Sequence, residues 1–185
     1  MSANTFQELF LDEMKDVYDA EQRIVRAMPK MIDKAGSDAL RTALQNHLRE
    51  TEQHVVRLER GFEQLGESPR RKSCKAMEGI LAEADELLKE SSDDNLRDAA
   101  IIAAGQKVEH YEMATYGTLR EWARQLGYDD LARTLQETLD EEGKADKKLT
   151  ELSGTLNLQA AETNGDMDID EDMDEDEDED EDEDK

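Results

Sequence analysis

Two prolines in 185 residues, Pro29 and Pro69, leave room for unusually long helices, and the apolar residues fill that room. Along four stretches they recur every three to four positions, the period of a helix with one buried face. The first stretch covers residues 5–34, with Phe10, Met14, Val17, Ile24, Val25, Met28 and Ile32 on one side; Pro29 should kink it. "AGSD" reads as a stop followed by a new N-cap at Ser37 or Asp38. The second stretch runs to Leu65, where Gly66 ends it. "ESPRRKSCK" is a loop leading into a shorter amphipathic helix over residues 74–90. "SSDDN" caps a third long helix over residues 96–126, "GYDD" breaks it, and the fourth runs over residues 129–152. "SGTLNLQAAETNG" reads as a linker.

The expected class is therefore all-α. Four long helices with tight links inside each pair, and one long crossover between pairs, have the connectivity of ferritin-like four-helix bundles. The short extra helix belongs to that crossover. The bundle is assigned to residues 1–155. Residues 156–185 are assigned to a linker and an Asp/Glu-rich tail, expected to be disordered because it has almost nothing to bury.

Charge narrows the choice of partners. The formal net charge is −26. The tail from Asp166 onward holds sixteen acids and one lysine, yet residues 1–165 still carry 33 acids against 22 bases. Such a body argues against nucleic-acid binding, which needs clustered Lys and Arg to neutralise phosphates. It suits a chain that stays soluble in a salt-rich, halophilic cytoplasm or one that attracts cations. A single cysteine, Cys74, excludes an internal disulfide and fits a reducing compartment. The charged N-terminus lacks the apolar core of a signal peptide, and no apolar run approaches the length that spans a bilayer. The tail has three readings: a solubilising segment, a weak cation reservoir, or a docking tail for a basic partner.

The apolar stripes themselves contain acids. With Glu109 at zero and about 100° per residue, Ile102, Met113 and Tyr116 fall within about 40° and Glu112 within about 60°. Glu21 lies at the centre of the first stripe, and Glu142 lies among Leu131, Leu135, Thr138 and Leu149, with Asp146 beside it. On the second helix His47, Glu50 and His54 flank a stripe of Leu40, Leu44, Thr51, Leu58 and Phe62. A buried carboxylate costs several kcal/mol unless a proton, a cation or a metal pairs with it. One inward glutamate is commonly a surface residue with a buried stem. One acid per long helix, each well inside its helix, is different, because antiparallel packing brings mid-helix positions to one level. Clustered carboxylates with one imidazole form a hard site suited to iron or manganese, with zinc as a competitor. Buried Glu–Arg or Glu–Lys pairs, with Arg57 or Lys107 as partners, are the structural alternative.

Five segments carry a family resemblance: "DVYDAEQRI" (16–24), "HLRETEQH" (47–54), "CKAMEGILAEA" (74–84), "DAAIIAAGQKVEHYEMATYGTL" (98–119) and "LQETLDEEGKADKKLTEL" (135–152). Over residues 5–152 the chain resembles the YciF-type ferritin-like stress proteins. The resemblance implies a helical bundle related to rubrerythrins and ferritins, a site for two iron ions, and a homodimer. By that analogy Glu21 is the first-helix ligand, Glu50 the bridging acid of the second helix, Glu109 and Glu112 a Glu-x-x-Glu pair on the third, and Glu142 the acid of the fourth. The Glu-x-x-His spacing is absent after Glu50 and after Glu142. His54 and Asp146, four residues on, are the substitutes, since i+3 and i+4 share a helix face.

These residues define three expectations. In the first, two iron ions held by Glu21, Glu50, His54, Glu109, Glu112, Glu142 and Asp146 oxidise Fe²⁺ with O₂ or H₂O₂, and the protein protects against stress. In this reading Glu21, Glu50, Glu109 and Glu142 carry the chemistry. The second puts manganese in the same ligands and disproportionates peroxide. The third is a non-enzymatic structural or interaction bundle.

Overall fold

A computed structural model of the chain describes residues 5–163. Those residues form five helices and no strand: α1 (Phe6–Lys34), α2 (Asp38–Gln64), α3 (Lys75–Glu90), α4 (Asp94–Gln125) and α5 (Asp129–Thr163). The acidic tail expected beyond Asp166 lies outside the described residues.

Local chemistry sets the helix ends. Thr5 and Glu8 form a reciprocal capping box at the start of α1, with both hydrogen bonds at 3.1 Å. Ser37 and Asp93 cap α2 and α4 through their side-chain oxygens; each such cap is typically worth about 1 kcal/mol. The C-termini of α2 and α4 share one solution. Gly66 and Gly127 take positive φ, 70° and 82°. Glu67 N–H then reaches back to Phe62 O at 2.9 Å, and Tyr128 N–H to Ala123 O at 2.8 Å. These are Schellman closures, which need a residue able to adopt a left-handed conformation. α1 runs unbroken through Pro29, which is solvent-exposed.

α5 corrects the sequence reading. It does not end at Leu152 but continues to Thr163, through the stretch assigned as linker. Leu149, Leu156 and Ala160 are buried, and Leu152 packs beside them, so the three-to-four spacing holds the extra turns against the body.

The four long helices form a ring in which neighbours run antiparallel. At one end Phe10 of α1 stacks on Tyr128. At the other, Asp98 of α4 accepts from Gly36 N–H and Ser37 N–H, both at 2.7 Å, pinning the start of α4 under the α1–α2 turn. α5 packs along α4 on one side and α2 on the other. The crossover helix α3 lies on α1 and α4. Its N-cap is Cys74, whose buried Sγ stands 3.1 Å from the Tyr111 hydroxyl, so the chain's one thiol is taken up in packing. The seam between α1 and α4 is thus covered, while the opposite seam, between α2 and α5, has no helix over it among the described residues.

The interior is divided in two. One apolar cluster contains Ile24, Met28, Leu44, Ile101 and Leu149. The other contains Phe10, Met14, Phe62, Tyr116 and Leu131. Between them lies a layer of charge.

Candidate metal centre

Six ionisable side chains meet in that layer: Glu21 from α1, His47 and His54 from α2, Glu109 and Glu112 from α4, and Glu142 from α5. None is more than 8% exposed, and Glu21, His54, Glu112 and Glu142 are fully buried. Helical spacing delivers each one. Leu40, Leu44, His47, Thr51, His54 and Leu58 are separated by alternating steps of three and four, so both histidines point the way the leucines do. Glu109 and Glu112 are one turn apart on α4.

Their donor atoms fall into two sets. In one, an atom each from His47, Glu109, Glu112 and Glu142 lie within 4.8 Å of one another; in the other the same holds for Glu21, His54 and Glu142. Each set has one imidazole, and Glu142 belongs to both. His54 Nδ1 is 2.9 Å from Glu142 Oε1 and 3.5 Å from Glu21 Oε1. His47 Nε2 is 3.1 Å from Glu109 Oε1 and 3.8 Å from Glu142 Oε2.

Close approach here is not hydrogen-bond pairing. Both oxygens of Glu112, both of Glu142, one each of Glu21 and Glu109, His54 Nδ1 and both nitrogens of His47 lack an aligned hydrogen-bond partner despite being buried. Buried polar atoms are nearly always satisfied. Lone pairs that converge without partners are what a cation requires, and a mixed set of carboxylates and imidazoles fits iron, manganese or zinc.

The electrostatics agree. Burial, reinforced by the charges of Glu142, Glu21 and Glu109, pushes the Glu112 carboxyl well above its usual range. Burial also pushes Glu142 up to about 7, against the pull of His54. His54 is raised to about 10: burial works against its charged form, but Glu142 and Glu21 outweigh it. His47 is raised as well, with Glu109 and Glu50 overcoming burial. Without a metal the layer must hold protons to offset its negative charge, and a divalent ion would substitute for them.

Outer contacts orient the buried donors. His54 Nε2 is 2.8 Å from Glu141 Oε2, and Arg57 clamps the same carboxylate from Nη1 at 2.5 Å and Nη2 at 2.9 Å. Arg57 holds Glu141 down to about 2, with His54 adding to the effect against partial burial. In its neutral form, a histidine whose outer nitrogen donates to a carboxylate has its inner nitrogen fixed as an acceptor. The Tyr116 hydroxyl donates a short hydrogen bond to Glu21 Oε1.

The structure brings together five of the sequence-derived residues, Glu21, His54, Glu109, Glu112 and Glu142, and leaves two apart. Glu50 is exposed at the rim, its Oε2 3.7 Å from His47 Nδ1, and shares neither donor set. It lies about 60° off the line of the two histidines. Asp146 turns to Gln106 at 3.5 Å and His110 at 3.3 Å. His110 is largely exposed. Sequence reasoning left His47 out of its ligand set, whereas the structure places it in the layer. Its signal was the seven-residue interval to His54, two turns along one face. Arg57, expected as a partner of a buried glutamate, pairs with part-buried Glu141 rather than with an acid of the layer, and Lys107 pairs with Glu83 at the surface. Glu141 itself left no signal, because its role depends on the α2–α5 contact.

This is a helical bundle with a buried carboxylate and histidine layer at its waist. The domain of unknown function DUF892 matches residues 5–162, and the chain belongs to that family. It is 41% identical to protein YciF of Escherichia coli (strain K12) over 154 residues, covering 83% of this chain and 93% of the relative. The crystal structure of the E. coli stress protein YciF superposes with a TM-score of 0.81 at 39% identity, covering 85% of this chain and 99% of that one. YcfI from Rhodopseudomonas palustris, described as a candidate structural protein, gives 0.79 at 44% identity over 81% and 97% of the two chains. A Xanthomonas campestris protein at 21% identity and TM-score 0.68 shares the fold. Among the described residues no helix is long and apolar enough to cross a membrane.

Proposed function

We propose that this chain is a dinuclear metal protein of the stress response, with iron as its metal and Fe²⁺ oxidation by O₂ or H₂O₂ as its reaction. The observation that carries the reading is Glu142, one carboxylate common to two buried donor sets. A shared carboxylate is how two cations are held close without repelling each other apart. His47, Glu109 and Glu112 would complete one position, and Glu21 with His54 the other. Iron bound there supplies the one-electron steps that O₂ or H₂O₂ reduction needs.

The chain's own residues do the rest. Glu141 and Arg57 hold His54 in one tautomer. The Tyr116 hydroxyl occupies one oxygen of Glu21 and leaves the other free. The layer is buried between the two apolar clusters, which strengthens the charge interactions inside it. Stress protection rests on kinship with the E. coli stress protein.

The test is metal content by plasma mass spectrometry on full-length protein, washed in chelator and reloaded anaerobically with Fe²⁺, beside Glu142→Ala treated alike. Two tightly held irons per chain, lost in the variant, and ferric absorbance on admitting O₂ support the reading. Manganese retained in preference to iron points to peroxide disproportionation. No transition metal in either protein leaves the non-enzymatic bundle, the role suggested by the description of the R. palustris relative.

A further inference from the structure

The uncovered seam between α2 and α5 opens into a cavity of about 330 Å³. Its walls are apolar: Ile24, Met28, Leu44, Ile101, Val108 and Leu149 all face it. Small residues keep it open. Ala39 and Ala43 on α2 and Ala145 on α5 leave the seam unfilled, and Gly105 lets α4 come so near that a Cβ there would stand 2.8 Å from Leu149. At its inner end the cavity reaches His47 and Glu109, whose buried Nδ1, Nε2 and Oε2 lack hydrogen-bond partners.

The mouth differs in chemistry. Lys144 and Lys148, one turn apart on α5, line it with Thr42 and Asn46 of α2. Lys148 touches Glu151 at 3.3 Å on the surface; Lys144 forms no ion pair among the described residues. In a chain of net charge −26, two lysines flanking an apolar opening are the exception. Glu50 is the one acid at the outer wall, and it lies toward the His47 end.

We propose that the cavity binds a medium-chain anionic amphiphile, its head on Lys144 and Lys148 and its tail inside the bundle. Pockets of this size bury small ligands, with apolar walls supplying affinity and a few polar groups fixing orientation. At about 30 Å³ per water-sized group, the space suits a chain of about ten carbons. A lysine pair at the rim reads charge without distinguishing carboxylate from phosphate, because each ammonium acts as a point charge. The site does not require a metal in the adjoining layer.

Isothermal titration calorimetry on metal-free, full-length protein tests this with decanoate, decyl phosphate and decyltrimethylammonium. One saturable site for the anions is expected, with the cation weaker by about tenfold or more. The tighter of the two anions identifies the natural head group. Lys144→Gln with Lys148→Gln should weaken the anions about tenfold. Ala43→Trp should abolish binding with the circular dichroism spectrum retained, and Ala145→Leu repeats that test should the tryptophan disturb folding. Equal or tighter binding of the cation, undiminished affinity in the lysine variant, or binding that appears only after metal loading would overturn the proposal.

Discussion

His47 and His54 stand two turns apart on one face of α2 and serve different donor sets, which meet at Glu142. One helix therefore supplies nitrogen to both positions, while the carboxylates come from the other three. Loss of either histidine should affect one position more than the other. His54→Ala is expected to reduce tightly held metal from two per chain toward one, whereas Glu142→Ala should abolish both. Metal titration followed by mass spectrometry distinguishes these outcomes. Equal loss in both variants would mean that the two positions are not separable.

Glu141 belongs to neither donor set, yet it holds the outer nitrogen of His54. Glu141→Ala should lower metal affinity by about 10–100-fold, the usual effect of removing a carboxylate behind a ligating histidine. Competition with a chelator of known affinity measures it. Unchanged affinity would show that packing alone holds the imidazole.

Metal-free protein should be most stable in mild acid. Folding raises Glu142 from 4.5 to about 7, so its contribution is complete below 4.5 and is lost as pH rises through about 7. His54, raised from 6.5 to about 10, contributes fully below 6.5 and loses this as pH rises through about 10. Glu141 runs the other way: lowered from 4.5 to about 2, it stabilises above 4.5 and fails as pH falls through about 2. Metal binding displaces protons from the layer, so the melting-temperature gain on loading should grow with pH. Thermal melts with chelator and with metal across the pH range check both trends; a flat metal-free profile would refute them.

Glu50→Ala should leave metal stoichiometry unchanged and shift stability by no more than about 0.5 kcal/mol, as for most surface substitutions. Retention of both metals would separate this exposed acid from the buried ones. Loss of one would show that Glu50 swings inward on loading.

Leu156→Ala should cost about 2 kcal/mol, the lower end for truncating a buried leucine, because the last turns of α5 pack on the body. Urea unfolding gives the number. A change near zero would return residues 153–163 to the status of a linker.

The long helices and most inward acids were legible because both follow from one period of 3.6 residues. Glu21, Glu109, Glu112 and Glu142 lie on or beside their stripes, and burial follows from position alone. On α2 the sequence reading set His47, Glu50 and His54 beside the stripe and followed the family analogy to Glu50; the structure instead puts both histidines in line with Leu40, Leu44 and Thr51, a step away from Glu50. Gly154 and the polar run around it suggested that α5 stops early. Leu156 and Ala160 outweigh them, because tertiary packing overrides local propensity. Arg57 was legible as a partner for a glutamate, but its pairing with Glu141, like the cavity, depends on which helices become neighbours, which no single-helix pattern reveals.

The charged layer between the two apolar clusters also bears on how the molecule comes apart. Contacts within each cluster are apolar and continuous, but across the waist the helices share ionisable groups. In metal-free protein this plane is where the bundle is expected to open first, each half exchanging at its own rate. A cation bound at Glu142 would fasten α1, α2, α4 and α5 at one point, and the two halves would then exchange their amide hydrogens as one.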